Sequence, residues 1–266
     1  MKNIITNFGG EFGWFLMRFQ AIFRAIKEKH PDIKIVIASR PGLYAIVKDY
    51  VEEYIEIDYG SKTDGWRVNE ENPILEPKIL EKYKNYIYMD GLVCMKGLPQ
   101  SFIKFGKPYT ATGYKYVVIH PRNTTKVGTE YRNWSLENWN KLVKKISDLG
   151  FLVATIGTKD TLLPDNTKDM RSIPINVTMD LLYNSELVLG PSSGPIHLAS
   201  LCGASHVVWT DDKVWESCGG TNRYRYETSW NPLGTKAIVL DEDNWQPSVD
   251  TVYNAIYNAI GENLHG

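Results

Sequence analysis

A glycine pair followed by one acidic residue lies near the start of the chain, in a pattern that could serve acid–base chemistry. Gly9 and Gly10 follow the apolar segment MKNIITNF, which predicts a short buried strand, and Glu11 comes next. From Phe12 onward, apolar residues recur at three- and four-residue steps, which predicts an amphipathic helix. Because ligands of α/β units lie at the carboxyl ends of strands, Glu11 could accept a proton there. It could equally be an acid that the helix dipole favours.

A second turn could bind an anion. The segment ELVLGPSSGPIHLASLCG predicts a strand that ends before Ser192, Ser193 and Gly194, and then a helix with Pro195 in its first turn. Ser and Gly are favoured at helix caps, and Pro is favoured in the first turn. The free amide groups and the dipole of such a helix start would suit a diphosphate. An ordinary strand-to-helix turn explains the spacing equally well.

A basic loop follows the predicted strand YKYVVIHP. Arg122, Lys126 and Arg132 lie within eleven positions of one another, at what would be the carboxyl end of a parallel strand. Three cations there could neutralise a phosphate group. The alternative is a solvated basic loop balanced by Glu130 and Glu137.

The elements that would position these residues alternate between strand and helix in both halves of the chain. Predicted strands in the first half are MKNIITNF, DIKIVIAS, EEYIEID and NYIYMDG, with a loop from Tyr59 to Glu81. Those in the second half are YKYVVIHP, FLVATIG, ELVLG, SHVVWT and KAIVL, with a helix in SLENWNKLVKKISDLG and another at the end of the chain. Such alternation predicts the α/β class and parallel sheets. We expect two Rossmann-like domains facing a cleft, residues 1–110 and 111–266, with the crossing at 96–113.

Composition limits the classes of protein. The 266 residues are 43% hydrophobic and 23% charged, with a net charge of −1, so no global basic field points to nucleic acid. The abundant aromatic residues are expected mainly in the core. Cys94, Cys202 and Cys218 form no metal-type pair, and we expect reduced thiols in a cytoplasmic protein. No signal peptide is expected, and no stretch approaches the roughly 20 apolar residues of a transmembrane helix.

The anion turn and the basic loop together resemble the donor-binding domain of glycosyltransferase family nine, the heptosyltransferase-like enzymes. The matching text is VVIHPRNTTK, RNWSLENWNKLV and PSSGPIHLASLCGA, with the family's order, spacing and flanking strands. The resemblance covers Tyr114 to about Thr210 well and the extreme amino terminus loosely. It implies the GT-B architecture and transfer of a hexosyl or heptosyl group, with inversion, from a nucleotide-diphosphate sugar. It also implies no cofactor and no bound metal.

The resemblance assigns roles to individual residues. Glu11, after Gly9 and Gly10, falls where the family has an aspartate placed to act as general base, and it is one methylene longer. Ser192 falls where the family has an aspartate beside the donor, so a carboxylate is missing there. The donor-binding set implied by the resemblance and the two segments is Arg122, Lys126, Arg132, Gly157, Asp160, Ser192, Ser193, Gly194, Pro195 and His197. Within it, Gly157 and Asp160 match positions of ribose contacts, and His197 has a packing role as its alternative.

Other functions remain open. The acceptor could be a glycan or a hydroxymethylated pyrimidine in DNA, as for some phage glycosyltransferases. The net charge argues mildly against DNA, but Lys96, Lys104 and Lys107 could form a local patch. A sugar-nucleotide epimerase would need a second acid/base group, which the sequence does not identify. A non-catalytic sugar-nucleotide-binding protein would be consistent with Ser192. Asp241 and Asp243 have a spacing that some metal-dependent glycosyltransferases use, and we interpret them as a solvated turn.

Overall fold

The structure is a computed structural model that describes residues 2–59, 75–109, 113–125, 128–215 and 219–261. The chain divides into two compact units, Met1–Phe102 and Ile103–Gly266. Each unit contains a parallel β-sheet of its own. Within the described ranges, every helix is too short or too polar to cross a membrane.

The sheet of the first unit has four parallel strands. They are β1 (Ile4–Phe8), β2 (Ile35–Ser39), β3 (Glu53–Glu56) and β4 (Ile87–Asp90). Their order across the sheet is β3-β2-β1-β4, so β1 is a central strand. Every residue of β1 and β2 is buried, as expected of parallel strands covered on both faces. The carboxyl end of this central strand leads directly into the glycine turn.

A long helical segment follows the glycine turn. It begins as α1 (Phe12–Trp14), passes through a π-helical turn (Phe15–Phe19) and continues as α2 (Gln20–Lys29). The ring of Phe19 lies 4.9 Å from the ring of Phe8 in β1, so the predicted apolar stripe does pack on the sheet. The π-helical turn was not predicted, because it keeps the stripe apolar and changes only the hydrogen-bonding register.

Among its described residues, the first unit also contains the short α-helices α3 (Tyr44–Val47) and α4 (Pro77–Lys82). The predicted loop from Tyr59 to Glu81 is therefore wrong over residues 77–81, which are helical. A proline suits the first turn of α4, but a helix of 6 residues is too short to show helical periodicity in the sequence.

The sheet of the second unit is larger. Its strands are β5 (Tyr116–Ile119), β6 (Leu152–Thr155), β7 (Lys168–Asp169), β8 (Leu187–Pro191), β9 (His206–Trp209) and, after a separate hairpin, β12 (Ala237–Leu240). All pair in parallel, in the order β12-β9-β8-β5-β6-β7. The two sheets share no strand, so the predicted pair of parallel-sheet α/β domains is confirmed.

The helices of the second unit enclose a core rich in tryptophan. They are α5 (Leu136–Asp148), α6 (Ile175–Tyr183), α7 (Gly194–Leu201), α8 (Asn222–Arg225) and α9 (Val249–Gly261). The predicted serine cap of α5 is confirmed, because Ser135 Oγ accepts a 3.1 Å hydrogen bond from the amide of Asn138. Trp134, Trp139 and Trp209 are each at most 1% exposed and pack ring against ring. Aromatic residues therefore do serve the core here.

An excursion between β9 and β12 was not predicted. It contains a two-stranded antiparallel hairpin, β10 (Val214–Trp215) and β11 (Gly220–Thr221), then α8 and a second π-helical turn (Tyr226–Trp230). Its elements are two to five residues long, too short for a periodic apolar pattern. The excursion begins at the carboxyl end of β9, so it borders the edge of the sheet where the anion turn lies.

Candidate functional site

Glu11 lies at the N-cap position of α1 and is half-buried. Its side chain makes no capping hydrogen bond, although its carbonyl oxygen accepts a 3.0 Å bond from the amide of Phe15. A capping hydrogen bond therefore does not explain why an acidic residue lies at this position. Attraction between the carboxylate and the helix dipole could still explain it. Gly9 and Gly10, directly before Glu11, are buried, so a larger side chain at either position would need additional space.

Polar side chains surround this turn at the carboxyl ends of neighbouring strands. Arg40, directly after β2, donates a 3.2 Å hydrogen bond to the carbonyl of Gly9. Asn7 in β1 is fully buried and accepts a 2.8 Å bond from the hydroxyl of Tyr88. Burial raises the pKa of Tyr88 to about 12, so this hydroxyl stays a donor at neutral pH. Sequence reasoning missed these three residues, although Asn7 and Arg40 lie at or next to the end of a predicted strand and Tyr88 lies within one.

Arg122 organises the loop after β5. Its guanidinium donates to the carbonyl of Thr129 at 3.0 Å and to Asn133 Oδ1 at 2.7 Å. Asn133 also donates a 2.8 Å bond to the carbonyl of Thr124, which closes the loop on itself. Donor binding by Arg122 stays a prediction, and Lys126 lies outside the described residues.

Arg132 contacts an aromatic ring that sequence reasoning did not connect with it. Its guanidinium carbon lies 4.5 Å from the ring centre of Trp245, a cation–π contact. The side-chain amide nitrogen of Gln246 donates to the carbonyl oxygens of Tyr131 at 2.6 Å and Asn133 at 3.1 Å. These bonds join the basic loop to the segment before α9.

The anion turn has the predicted strand–turn–helix form. Ser193 is the N-cap of α7 in an extended conformation, and Pro195 lies in the first turn. The hydroxyl of Ser193 does not cap the helix but lies 3.1 Å from Nδ1 of His120, directly after β5. Burial, and to a lesser extent Arg122, lowers the pKa of His120 to about 3, so the imidazole is neutral at pH 7. The first amides of α7 have no intrahelical acceptor and remain suited to an anion.

His197 on α7 is buried and stacks on Trp230, with ring centres 4.6 Å apart and an interplanar angle of 16°. Burial lowers its pKa to about 3, and the charges of His206, Arg225 and Arg132 add to that effect. Among the described residues, no hydrogen-bond partner reaches its Nδ1. The stacking supports a packing role, and a donor contact stays a prediction.

Gly157 and Asp160 lie in the loop after β6. Gly157 has φ +133, and a Cβ there would come within 2.2 Å of Thr161 Oγ1. The side chain of Asp160 is exposed, and its carbonyl accepts a 2.9 Å bond from Asn123 in the loop after β5. The strand order therefore brings His120, Gly157 and Ser193 to one edge of the sheet, on adjacent strands.

Two acidic residues have surroundings that the sequence did not predict. Asp241 is not a solvated residue, because Arg223 Nε donates to its carboxylate at 2.8 Å and its side chain is 14% exposed. Asp211, after β9, is 6% exposed, and Asn222 donates a hydrogen bond to it. Sequence reasoning missed Asp211 because it lies outside any recognised motif. The described ranges contain no group of three or more His, Cys, Asp or Glu residues that could hold a metal ion.

No protein-family model and no curated protein sequence matches this chain. Solved structures do match it. The glycosyl transferase family 9 protein from Veillonella parvula is 12% identical, with a TM-score of 0.66 over 98% of this chain and 97% of that one. The ADP-heptose lipopolysaccharide heptosyltransferase II of E. coli is 11% identical, with a TM-score of 0.65 over 98% and 99%. The chain has the fold of glycosyltransferase family nine.

A third neighbour of the family-nine fold is TibC from enterotoxigenic E. coli, an iron-containing dodecameric glycosyltransferase that has also been solved with ADP-D-β-D-heptose. It is 13% identical, with a TM-score of 0.57 over 83% of this chain and 61% of that one. At these low sequence identities, the comparison shows only that the fold is shared.

Of the lysines considered for a DNA patch, Lys96 is exposed near the end of the first unit, and Lys104 and Lys107 lie near the start of the second. The ammonium group of Lys104 lies 4.3 Å from the ring centre of Tyr183, and its side chain covers Gly203. Lys107 is exposed, and its amide donates a 2.9 Å bond to Asp180. One of the three predicted cations is therefore engaged within the chain.

Proposed function

We propose that the protein is an inverting glycosyltransferase that moves a sugar from a nucleotide-diphosphate donor to a hydroxyl group of an acceptor. The observation that carries the proposal is the start of α7 at the carboxyl end of β8, with Ser193 beside His120, in a chain with the family-nine fold. Free amides, a helix dipole and a hydroxyl converge there, and together they suit an anionic diphosphate.

The donor diphosphate would bind at this helix start. Because His120 is neutral, its Nδ1–H can donate to Ser193 Oγ and leave the Ser193 hydroxyl free to donate to a phosphate oxygen. Arg122 and Lys126 would supply positive charge from the neighbouring loop. We predict that these groups stabilise the leaving diphosphate without a metal ion. Since TibC is an iron-containing glycosyltransferase, transfer by this protein should be measured before and after treatment with a chelator.

Glu11 would act as the general base. In the proposed step, its carboxylate takes the proton of the acceptor hydroxyl while that oxygen forms a bond to the anomeric carbon. The bond from the anomeric carbon to the phosphate oxygen breaks on the opposite face, and the nucleoside diphosphate leaves. Attack opposite the leaving group inverts the anomeric configuration.

The test begins with the donor. Nucleotide sugars and their nucleoside diphosphates are screened by thermal shift, and donors that bind are then incubated with glycan and hydroxymethylated-DNA acceptors. We expect nucleoside diphosphate release that requires an acceptor, with an inverted product by NMR. Binding without release would indicate a non-catalytic binder, and a changed sugar without acceptor would indicate an epimerase. Either result would overturn the proposal.

A further inference from the structure

A buried carboxylate lies at the carboxyl edge of the larger sheet. Asp211 is 6% exposed, and its hydrogen bond comes from Nδ2 of Asn222, which is a neutral amide. Among the residues that the structure describes, no cation forms an ion pair with it. Buried carboxylates usually have a cation or several hydrogen-bond donors, because desolvation of the charge is costly. Two carboxylate oxygens can accept about four hydrogen bonds, so acceptor capacity remains for a ligand.

The surrounding residues hold this carboxylate in place. Thr221 caps α8 by accepting a 3.1 Å bond from the amide of Tyr224, which fixes Asn222 as the first residue of the helix. Arg225 donates a 3.2 Å bond to the side-chain oxygen of Asn222. Since that oxygen is engaged, the amide nitrogen is the atom that faces Asp211. The carboxylate is thus oriented by the excursion after β9.

Asp211 is next to the anion turn. Pro191 at the end of β8 pairs with Trp209 at the end of β9, and the amide of Ser192 donates a 2.9 Å bond to the carbonyl of Trp209. Neighbouring strands lie about 4.8 Å apart. Asp211 is only two residues after Trp209, whose carbonyl accepts this bond. It therefore lies just beyond the end of β9, beside the turn proposed to bind the diphosphate.

The strand order determines which residues would lie near each end of a bound nucleotide sugar. The order β9-β8-β5-β6 puts the loop after β6 on one side of the anion turn and Asp211 on the other. A nucleotide sugar carries its diphosphate between the ribose and the transferred sugar. With the diphosphate at the start of α7 and the ribose at Gly157 and Asp160, the transferred sugar would extend toward β9.

We propose that Asp211 accepts a hydrogen bond from a hydroxyl group of the transferred sugar and thereby determines which donors bind. The proposal rests on the proposed function. A single carboxylate suits a hydroxyl donor, whereas Mg²⁺ or Ca²⁺ takes six or more oxygen ligands. Asp211 supplies from the neighbouring strand the carboxylate that Ser192 does not provide.

The test compares ligands with and without the sugar. Dissociation constants are measured for UDP-glucose, GDP-mannose, ADP-glucose and ADP-heptose, each beside its nucleoside diphosphate, with wild type and Asp211→Asn. For the donor that binds best, Asp211→Asn should weaken nucleotide-sugar binding roughly 10- to 100-fold, as for a lost hydrogen bond to a charged group. Nucleoside diphosphate binding should not weaken, and this also reports that the variant is folded, since asparagine can still accept the bond from Asn222.

Asp212→Asn is the matched control, because Asp212 is exposed and carries the same charge in the same loop. Removing a negative charge near an anionic donor should leave binding unchanged or strengthen it slightly, so selective weakening by Asp211→Asn cannot come from net charge. An Asp211→Asn affinity within twofold of wild type, or equal weakening of sugar-bearing and sugar-free ligands, would overturn the role of Asp211. Failure of wild type to bind any of these nucleotide sugars or nucleoside diphosphates would overturn the proposed function instead, and this role with it.

Discussion

At the scale of single residues, Glu11 has two explanations that make different predictions. It lies at the start of α1, where the helix dipole favours an acid, yet its side chain makes no capping hydrogen bond. It also follows a central strand, among the polar side chains Asn7, Arg40 and Tyr88. A helix-start acid contributes to stability, whereas a general base contributes to turnover.

Glu11→Gln separates these explanations. The variant keeps the size and hydrogen-bonding reach of the side chain and removes its basicity. Turnover should fall roughly 10²–10⁴-fold, the usual contribution of a positioned acid or base, while donor affinity persists. The acidic limb of the pH–rate profile should disappear with it. Steady-state kinetics and donor titrations measure these quantities.

Glu52→Gln is a suitable control, because Glu52 lies in the same unit in an exposed pair with Lys34. Its turnover should match wild type. If Glu11→Gln transferred sugar at close to the wild-type rate, with chemistry rate-limiting, Glu11 would be a helix-start acid only.

At the scale of elements, the loop after β6 depends on a glycine for two reasons. Gly157 has φ +133, and its missing Cβ leaves room for Thr161. The loop is further held by Arg171, which donates a 2.7 Å bond to the carbonyl of Thr161. Any side chain at position 157 must therefore change the backbone or displace Thr161.

Gly157→Ala should lower the free energy of unfolding more than Gly150→Ala. Gly150 also has a positive φ, +87, but no atom lies within 4 Å of its virtual Cβ. Backbone strain should cost about 1 kcal/mol at Gly150, and overpacking should add about 1–3 kcal/mol at Gly157. Urea denaturation of both variants measures the difference, and Thr161→Ala should restore part of the loss in Gly157→Ala. Equal losses at the two positions would contradict the contact.

At the scale of the whole molecule, buried histidines make the second unit sensitive to acid. Burial lowers the pKa of His120 and His197 to about 3 and that of His206 to about 4. Nε2 of His206 pairs with the hydroxyl of Tyr226 while its Nδ1 lies 2.8 Å from the carbonyl of Ala204. The neutral ring can donate to that carbonyl and accept from the tyrosine, whereas a protonated ring could not accept.

Stability should therefore fall between pH 7 and pH 5. The unfolded chain binds protons at these histidines near pH 6.5, whereas the folded chain binds them only near pH 3–4. Their stabilising effect is thus complete above about pH 7.5 and is lost as pH decreases, by roughly 1 kcal/mol per histidine for each pH unit below 6.5. Urea denaturation at pH 7.5, 6.5 and 5.5 measures the slope. Carboxylates with lowered pKa values, such as Asp169, lose their effect only at lower pH. An unchanged free energy of unfolding at pH 5.5 would contradict the prediction.

The sequence by itself determined the elements whose signal is local. Apolar runs located the principal strands of both sheets, and Ser135 and the Ser193–Gly194–Pro195 turn located two helix starts. These signals come from neighbours a few residues apart, through backbone propensity and side-chain periodicity. For the same reason, very short elements such as α4 and the hairpin after β9 gave no usable pattern.

Only the tertiary structure decided which distant residues meet. His120 and Ser193 are 73 positions apart. They touch because β5 pairs with β8 as well as with β6, which is the next strand in the sequence. The same strand order, with the loops that it brings together, places Arg132 against Trp245 and Asp211 beside Ser192. Strand order depends on burying both faces of each sheet under helices, which is a property of the whole chain. Local sequence therefore specified the strands and turns, and the packing of the sheets specified the site.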